Sequence, residues 1–582
     1  MLSPFRYLIN MRRDGDGRRG VVVLAATLLV FVAALALANG PAYAAAPDKK
    51  RKPPAGAAKK YKKPKVKGHV KKRVLAVFGT VRGETIVLRL KAGKPNRLQV
   101  DVGNNGSAEW QFNRRRFNRI FVFGLGGNDV VLIDEANGVF TDTETTILSG
   151  DSGNDDLRGG SGAERFFGGT GNDAVDGNRA DDIAYLGFGD DSFTWDPGDG
   201  SDTVEGRAGT DTLVFNGAGV AENFDFSANG NRLRFFRNVA NITMDVDDTE
   251  RVDLRALGGI DNTVVNDLST TDVKNIELDL ETAIGGGAGD GAADTATING
   301  TAGNDTIAIA PNAGAVDVTG LAAAVKIEHP EAANDLLNVN GLGGNDTING
   351  SIGLAALIKV GIDGGAGNDT INGGDGSEVL LGGDGNDAID GNRGDDTGLL
   401  GSGDDSFRWD PGDGSDTVEG QANTDTLVFN GAGVAENFDV SANGPRVRFF
   451  RNVANITMDL DDVERILTQA LGGIDNAVVN DLTGTDLTSV EFDLESAIGG
   501  GVGDGAADTV TVNGTNGVDN VNVAANAGGV DVTGLAAAVR IEHSEAANDL
   551  LLVKTLAGND NVDVGAGVAA LIQTLVDLGA DE

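Results

Sequence analysis

Cysteine is absent from the 582 residues, histidine occurs three times, and aromatic residues make up 5% of the chain. The lack of cysteine excludes disulfides, thiolate zinc sites and thiol nucleophiles. His69 lies in a lysine-rich stretch, while His329 and His543 occupy matching strings, IEHPEAAND and IEHSEAAND. A lone histidine that recurs with its surroundings fits a structural place better than a catalytic one. No G-x-S-x-G, H-E-x-x-H or P-loop string is present, so no familiar hydrolase, zinc-protease or nucleotide site is assembled. Paired carboxylates abound, and a glycosidase needs two. Lysine is scarce after residue 119, however, and aromatics are few, which leaves little to line a sugar groove. An enzyme is not expected.

Positive charge is also missing from most of the chain. The formal charge is −40, with +3 on residues 1–44 and +12 on 45–73, leaving −55 on 74–582. A body this acidic repels itself and repels nucleic acid, so it needs counter-cations. The N-terminus reads as an export signal: Arg12, Arg13, Arg18 and Arg19 precede an apolar run at 21–38, and Ala42-Tyr43-Ala44 forms a small-residue cleavage site. Uncut, the same run is long enough to anchor the chain in a membrane. Arg18-Arg19 hints at twin-arginine export, whereas Lys49 to Lys52 oppose translocation. Residues 45–73 are rich in Lys, Pro and Ala, the composition of a solvated linker. Such a basic tether suits an anionic cell-wall polymer or lipid headgroup. An extracellular or cell-surface location follows.

What is abundant is glycine, 87 residues of it, and repetition. WDPGDGSDTVEG occurs at 195–206 and again at 409–420. LGGIDNTVVNDL at 257 matches LGGIDNAVVNDL at 471, and GLAAAVKIEH at 320 matches GLAAAVRIEH at 534. Each offset is 214 residues, so the chain is a tandem array of units at about 120–333 and 334–547, with the start of a third.

A period of nine lies inside each unit. From 150 the chain reads GDSGNDDLR, GGSGAERFF, GGTGNDAVD, GNRADDIAY, LGFGDDSFT, then Trp195-Asp196, PGDGSDTVE and GRAGTDTLV. The second series runs from 364 to 428 with the same interruption at Trp409-Asp410. The pattern is G-G-x-G-x-D-x-U-x, with U apolar. Its glycines permit positive φ and let carbonyls converge. The aspartate supplies a carboxylate, and the last three residues form a short strand with U inward. Two nonapeptides make a coil of eighteen residues, which stacks turns on one edge about 4.8 Å apart. That spacing suits Ca²⁺, which takes six to eight oxygens. Leu157, Phe166, Val175, Phe193, Val204 and Leu213 are the expected inward ladder of array one.

Both arrays resemble the hemolysin-type, or repeats-in-toxin (RTX), calcium-binding family. The resemblance implies an all-β fold: a parallel β-roll or β-solenoid with Ca²⁺ held between stacked turns. It assigns the metal-binding carboxylates to Asp155, Glu164, Asp173, Asp182, Asp191, Asp202 and Asp211, and in unit two to Asp369, Glu378, Asp387, Asp396, Asp405, Asp416 and Asp425. The best pairs are Asp155–Asp173, Asp173–Asp191, Asp369–Asp387 and Asp387–Asp405.

Several departures from the pattern set further expectations. Glu164 and Glu378 are a methylene longer than Asp, and Arg179-Ala180 stands where Arg393-Gly394 stands in unit two. The edge built on Glu164–Asp182 and Glu378–Asp396 should therefore bind more weakly, worst in unit one. The Trp-Asp insertion should disturb the pairing of Asp191 with Asp211 and of Asp405 with Asp425. Lone strings such as GLGGND (124–129), GTAGNDTI (300–307), GTNGVDNV (514–521) and LAGNDNV (556–562) lack a partner eighteen residues away, which argues against calcium there.

The expected organisation is thus a signal at 1–44, a linker at 45–73, solenoid at 74–149, array one at 150–214, a solenoid spacer at 215–363, array two at 364–428, and a second spacer at 429–582. Phe215, Phe224, Phe226, Phe235 and Phe236 are expected in the spacer core.

Overall fold

The computed structural model describes residues 65–579. The expected export signal and the linker up to residue 64 lie outside them. Among the described residues there is no α-helix, only five single-turn 3-10 segments and 48 strands. None is a helix long and apolar enough to cross a membrane.

The strands form two sheets of 24, and most neighbours are parallel. The nine-residue grammar explains why. In array one Ala174–Asp176 pairs in parallel with Asp156–Arg158 on one side and with Ser192–Trp195 on the other, so Leu157, Val175 and Phe193 stack in register. The opposite sheet stacks Phe166 on Leu148 and Ala184. The chain alternates between the sheets, so each pair of nonapeptides completes one coil. The U side chains fill the space between the sheets. Leu157, Phe166, Val175, Phe193, Val204 and Leu213 are all buried, within one core that continues along the roll. Strand alternation places every second side chain inside, as the burial of Thr203–Ala208 and Thr212–Asn216 shows.

The spacers are wider coils of the same roll. Each detours through a three-stranded meander laid into the sheet. Asn223–Asn229, Arg232–Arg237 and Ile242–Asp247 form one, with the middle strand antiparallel to both neighbours. Thr306–Asn312, Ala315–Thr319 and Ala324–Glu328 form another in the opposite sheet. Phe215, Phe224, Phe226 and Phe235 are buried as expected. Phe236 is not, because it alternates outward between Phe235 and Arg237 and lies under the Arg234 guanidinium at 4.9 Å.

The N-terminal boundary also shifts. Lys67–Lys71, expected in the linker, is a strand that pairs antiparallel with Val74–Phe78 and forms the edge of one sheet. Its alternation of exposed lysines with half-buried Gly68 and Val70 gives it one face to lay on the roll.

Candidate metal centre

The corners of the roll carry the chemistry. At each array corner the backbone N–H of one position-six residue donates to Oδ1 of its counterpart in the next coil. On one corner Asp155 donates to Asp173 at 2.8 Å and Asp173 to Asp191 at 2.7 Å. Asp369 donates to Asp387 and Asp387 to Asp405 at 2.8 and 2.7 Å. On the other corner Glu164 donates to Asp182 and Asp182 to Asp202 at 2.6 and 2.8 Å. Glu378 donates to Asp396 and Asp396 to Asp416 at 2.8 and 2.9 Å. The structure therefore places all fourteen sequence-derived residues in buried carboxylate ladders.

The second oxygen of most of these carboxylates has no hydrogen-bond partner. Oδ2 of Asp155, Asp173, Asp191 and Asp211 is buried and unpaired, as is Oδ2 of Asp369, Asp387, Asp405 and Asp425. A buried unpaired acceptor costs about 1–3 kcal/mol, and more when charged. None of the fourteen carboxylates forms an ion pair among the described residues. The glycines make room for this crowding. A Cβ on Gly168 would lie 2.6 Å from Asp173 Oδ2 and 2.3 Å from the Leu186 carbonyl oxygen. Side-chain oxygen and backbone carbonyl thus converge where only hydrogen fits.

Burial raises the carboxyls above their ordinary range. Asp173 is pushed up to about 7 by burial, with the charges of Asp155 and Asp191 adding to it. Asp202 and Asp416 reach about 7, again chiefly by burial. The highest are Asp182, at about 10, and its repeat partner Asp396, at about 9. Both lie on the corner beside a glutamate. The residues present fit a hard divalent cation: an all-oxygen donor set, unpaired and anionic. A bound ion would be held by these carboxylates and the carbonyls converging on them, and would supply the missing positive charge.

The Trp-Asp insertion does not break the ladder. Asp191 N–H donates to Asp211 Oδ1 at 2.9 Å, and Asp405 to Asp425 at 2.9 Å. The two extra residues are absorbed by a bulge in a twenty-residue coil. The Trp195 ring is buried flat on Phe215, with ring centroids 4.1 Å apart, and its indole N–H donates to the Gly200 carbonyl. Asp199 Oδ2 accepts from Asp196 N–H to close the bulge. The flanking strands keep their pairing, Phe193 on Leu213 and Trp195 on Phe215.

The lone strings are not alone either. Asp129 of GLGGND donates to Asp155 at 2.7 Å, and Glu84 donates to Asp129. Asp305 donates to Asp346 and Asp346 to Asp369, each at 2.7 Å. Asp519 donates to Asp560 at 2.9 Å. Their partners lie 26, 41, 23 and 41 residues away. Sequence reasoning missed a further set completely: Asp261, Asp294 and Asp335, with Asp475, Asp508 and Asp549 in unit two. The signal that marks them is an acid followed by an alternating strand, as in DNTVV, DTATI and DLLNV.

Some buried acids outside the arrays do carry their own cation. Glu222 is paired with buried Arg237, whose guanidinium lies over Trp195 at 5.2 Å, and Glu436 is paired with Arg451. Glu144 is held by Arg114 and Asp101 by Arg89. His329 Nδ1 lies 2.8 Å from Asp279 Oδ1, an ion pair when the imidazole is protonated.

A parallel β-roll with stacked, uncompensated carboxylates at its corners defines a cation-binding solenoid. The model of the RTX calcium-binding nonapeptide repeat matches residues 147–163, 158–193, 198–217, 290–308, 362–377 and 372–407. The chain carries RTX repeats, and RTX nonapeptides bind Ca²⁺. No curated protein matches the chain.

Proposed function

We propose that this is an exported β-roll whose arrays fold around Ca²⁺ through the fourteen position-six carboxylates, with a structural or surface role and no catalysis. The row of buried, unpaired Oδ2 atoms on ladders without arginine or lysine carries this reading. Extracellular calcium modules bind at about 10⁻⁴–10⁻³ M. At tenfold excess one site contributes about 1.4 kcal/mol, and about six such sites roughly 8 kcal/mol, the scale of a whole domain's stability. Folding would then follow export into calcium-rich surroundings. The test is a calcium titration of the full chain by calorimetry together with circular dichroism. Ion binding coupled to gain of β structure is expected; full β structure in EGTA, with no calcium bound at millimolar concentration, overturns the reading.

A second element of the reading is attachment through the basic N-terminal end. Lys67, Lys71, Lys72, Arg73, Arg116 and Arg119 are exposed on the first coils, and none of them is in an ion pair. The first four belong to the 45–73 segment, Arg116 and Arg119 add to its charge, and together they suit an anionic cell-wall polymer.

A further inference from the structure

Array one's corner ladder Glu164–Asp182–Asp202 has a counterpart in the spacer beyond it. There Glu222 N–H donates to Asp261 Oδ1 at 2.7 Å, Asp261 to Asp294 Oδ1 at 2.8 Å, and Asp294 to Asp335 Oδ1 at 3.1 Å. The rungs are 39, 33 and 41 residues apart, so no nonapeptide spacing announces them. Unit two repeats the arrangement through Glu436, Asp475, Asp508 and Asp549.

The rungs of this ladder differ in one respect. Its head, Glu222, is compensated: Arg237 binds one oxygen and the Ala218 N–H donates to the other. Asp261 has no such help. It is 2% exposed, its Oδ2 is buried without a partner, and the charges around it are the carboxylates of Asp294, Glu222 and Asp290, the last of which accepts from Gly259 N–H at 2.9 Å. Asp294 and Asp335 are buried too, with no cation paired to them. Burial and the charges of Asp294, Glu222 and Asp290 push Asp261 up to about 7, as they do the array aspartates. Ala256 stands where the nonapeptide has its first glycine, but Leu186 stands there at the Asp191 rung inside array one.

We propose that Asp261 with Asp294, and Asp475 with Asp508, form an additional hard-divalent-cation site in each spacer, outside the nonapeptide arrays. The family match includes Asp294 but neither Asp261 nor the unit-two pair. The donor set is all oxygen, which selects calcium-like ions over softer metals. The buried arginine at each ladder's head makes the adjoining rung independent of metal, so the added site begins one rung further on. This proposal rests on the calcium reading of the arrays and extends it.

The experiment compares three forms of the full chain: the parent, Asp261→Asn/Asp475→Asn, and Asp173→Asn/Asp387→Asn. Asparagine keeps the Oδ1 acceptor and removes the buried charge, so the backbone rung survives. Bound calcium is counted by equilibrium dialysis, and thermal unfolding is followed in EGTA and in millimolar Ca²⁺. The spacer variant should bind about two fewer ions per chain, melt higher than the parent in EGTA, and gain less from calcium. A spacer variant with the parent's stoichiometry and calcium gain overturns the inference, provided the array variant has lost ions. No binding by the parent overturns the calcium reading itself. Should Asp261→Asn/Asp475→Asn fail to fold, Asp294→Asn/Asp508→Asn tests the same rungs from the other side, with the same two outcomes.

Discussion

Replacing Asp173 and its repeat partner Asp387 with asparagine should stabilise the calcium-free chain and weaken the calcium-loaded one. The magnitude follows from burial. Asp173 is pushed from 3.8 to about 7, and Asp387 to about 6. At 1.36 kcal/mol per pH unit, the folded metal-free chain carries a penalty on the order of 4 kcal/mol at Asp173 and 3 kcal/mol at Asp387. These are ceilings, because Asp155, Asp191, Asp369 and Asp405 titrate with them. The sign is that of a carboxyl raised by folding. Below about pH 3.8 both states are protonated and no penalty exists. It grows as pH rises and is complete above the folded value, near 7 for Asp173. Acidification also lowers the general repulsion of the −55 body, so the variant against the parent is the decisive comparison. In EGTA at pH 8 the variant should keep more β structure by circular dichroism than the parent, and the structure that remains should melt several degrees higher. At pH 5 the gap should narrow, and in millimolar calcium the order should reverse, because in each array an ion loses a charged carboxylate ligand. A variant melting no higher than the parent at pH 8, or a gap indifferent to pH, would refute the claim that these are uncompensated buried charges.

Three further variants probe the backbone and the flank. Ala180 holds φ at 77° where unit two has Gly394; Ala180→Gly should stabilise unit one by up to about 1 kcal/mol, read as a higher melting temperature. Gly394→Ala should cost more, since a Cβ there would lie 1.7 Å from the Gly376 carbonyl oxygen. His329 and His543 are raised above their ordinary value by hydrogen bonds to Asp279 and Asp493. Their contribution is complete below about pH 6.5 and fades as pH climbs through the raised folded value. His329→Gln/His543→Gln should therefore lower stability at pH 5.5 by no more than about 1 kcal/mol for each partly exposed pair, and by less at pH 8.5; an equal loss at both values contradicts a charged pair.

Where the period was regular, the sequence was legible to the atom. Eighteen residues per coil put Leu157 on Val175 and Asp155 on Asp173 without any knowledge of the flanks. Two kinds of information were hidden. The effect of Trp195-Asp196 depended on whether two residues could leave the coil without dragging the strands. That was decided by the indole burying itself on Phe215, a contact between residues twenty apart. The spacer rungs were hidden because coil length there is set by meanders, and antiparallel detours such as 223–247 change the count without moving the corner. Lys67–Lys71 was misplaced for a different reason. Its lysines have linker composition, yet an edge strand favours lysine because exposed charge blocks further pairing.

Every coil of this roll brings carboxylates together, and the chain meets the cost in two ways. At Asp101, Glu144, Glu222 and Glu436 the cation is an arginine from a neighbouring strand or turn. An arginine compensates one rung permanently, but its side chain takes up space that a strand or meander must provide. A nine-residue half-coil has no such space, so the arrays forgo the built-in cation and leave Oδ2 after Oδ2 unpaired. The compact coil and the uncompensated carboxylates thus have one origin. The same shortness that allows eighteen residues to close a coil leaves no room for an arginine inside the arrays, and the arginine-compensated rungs flank them.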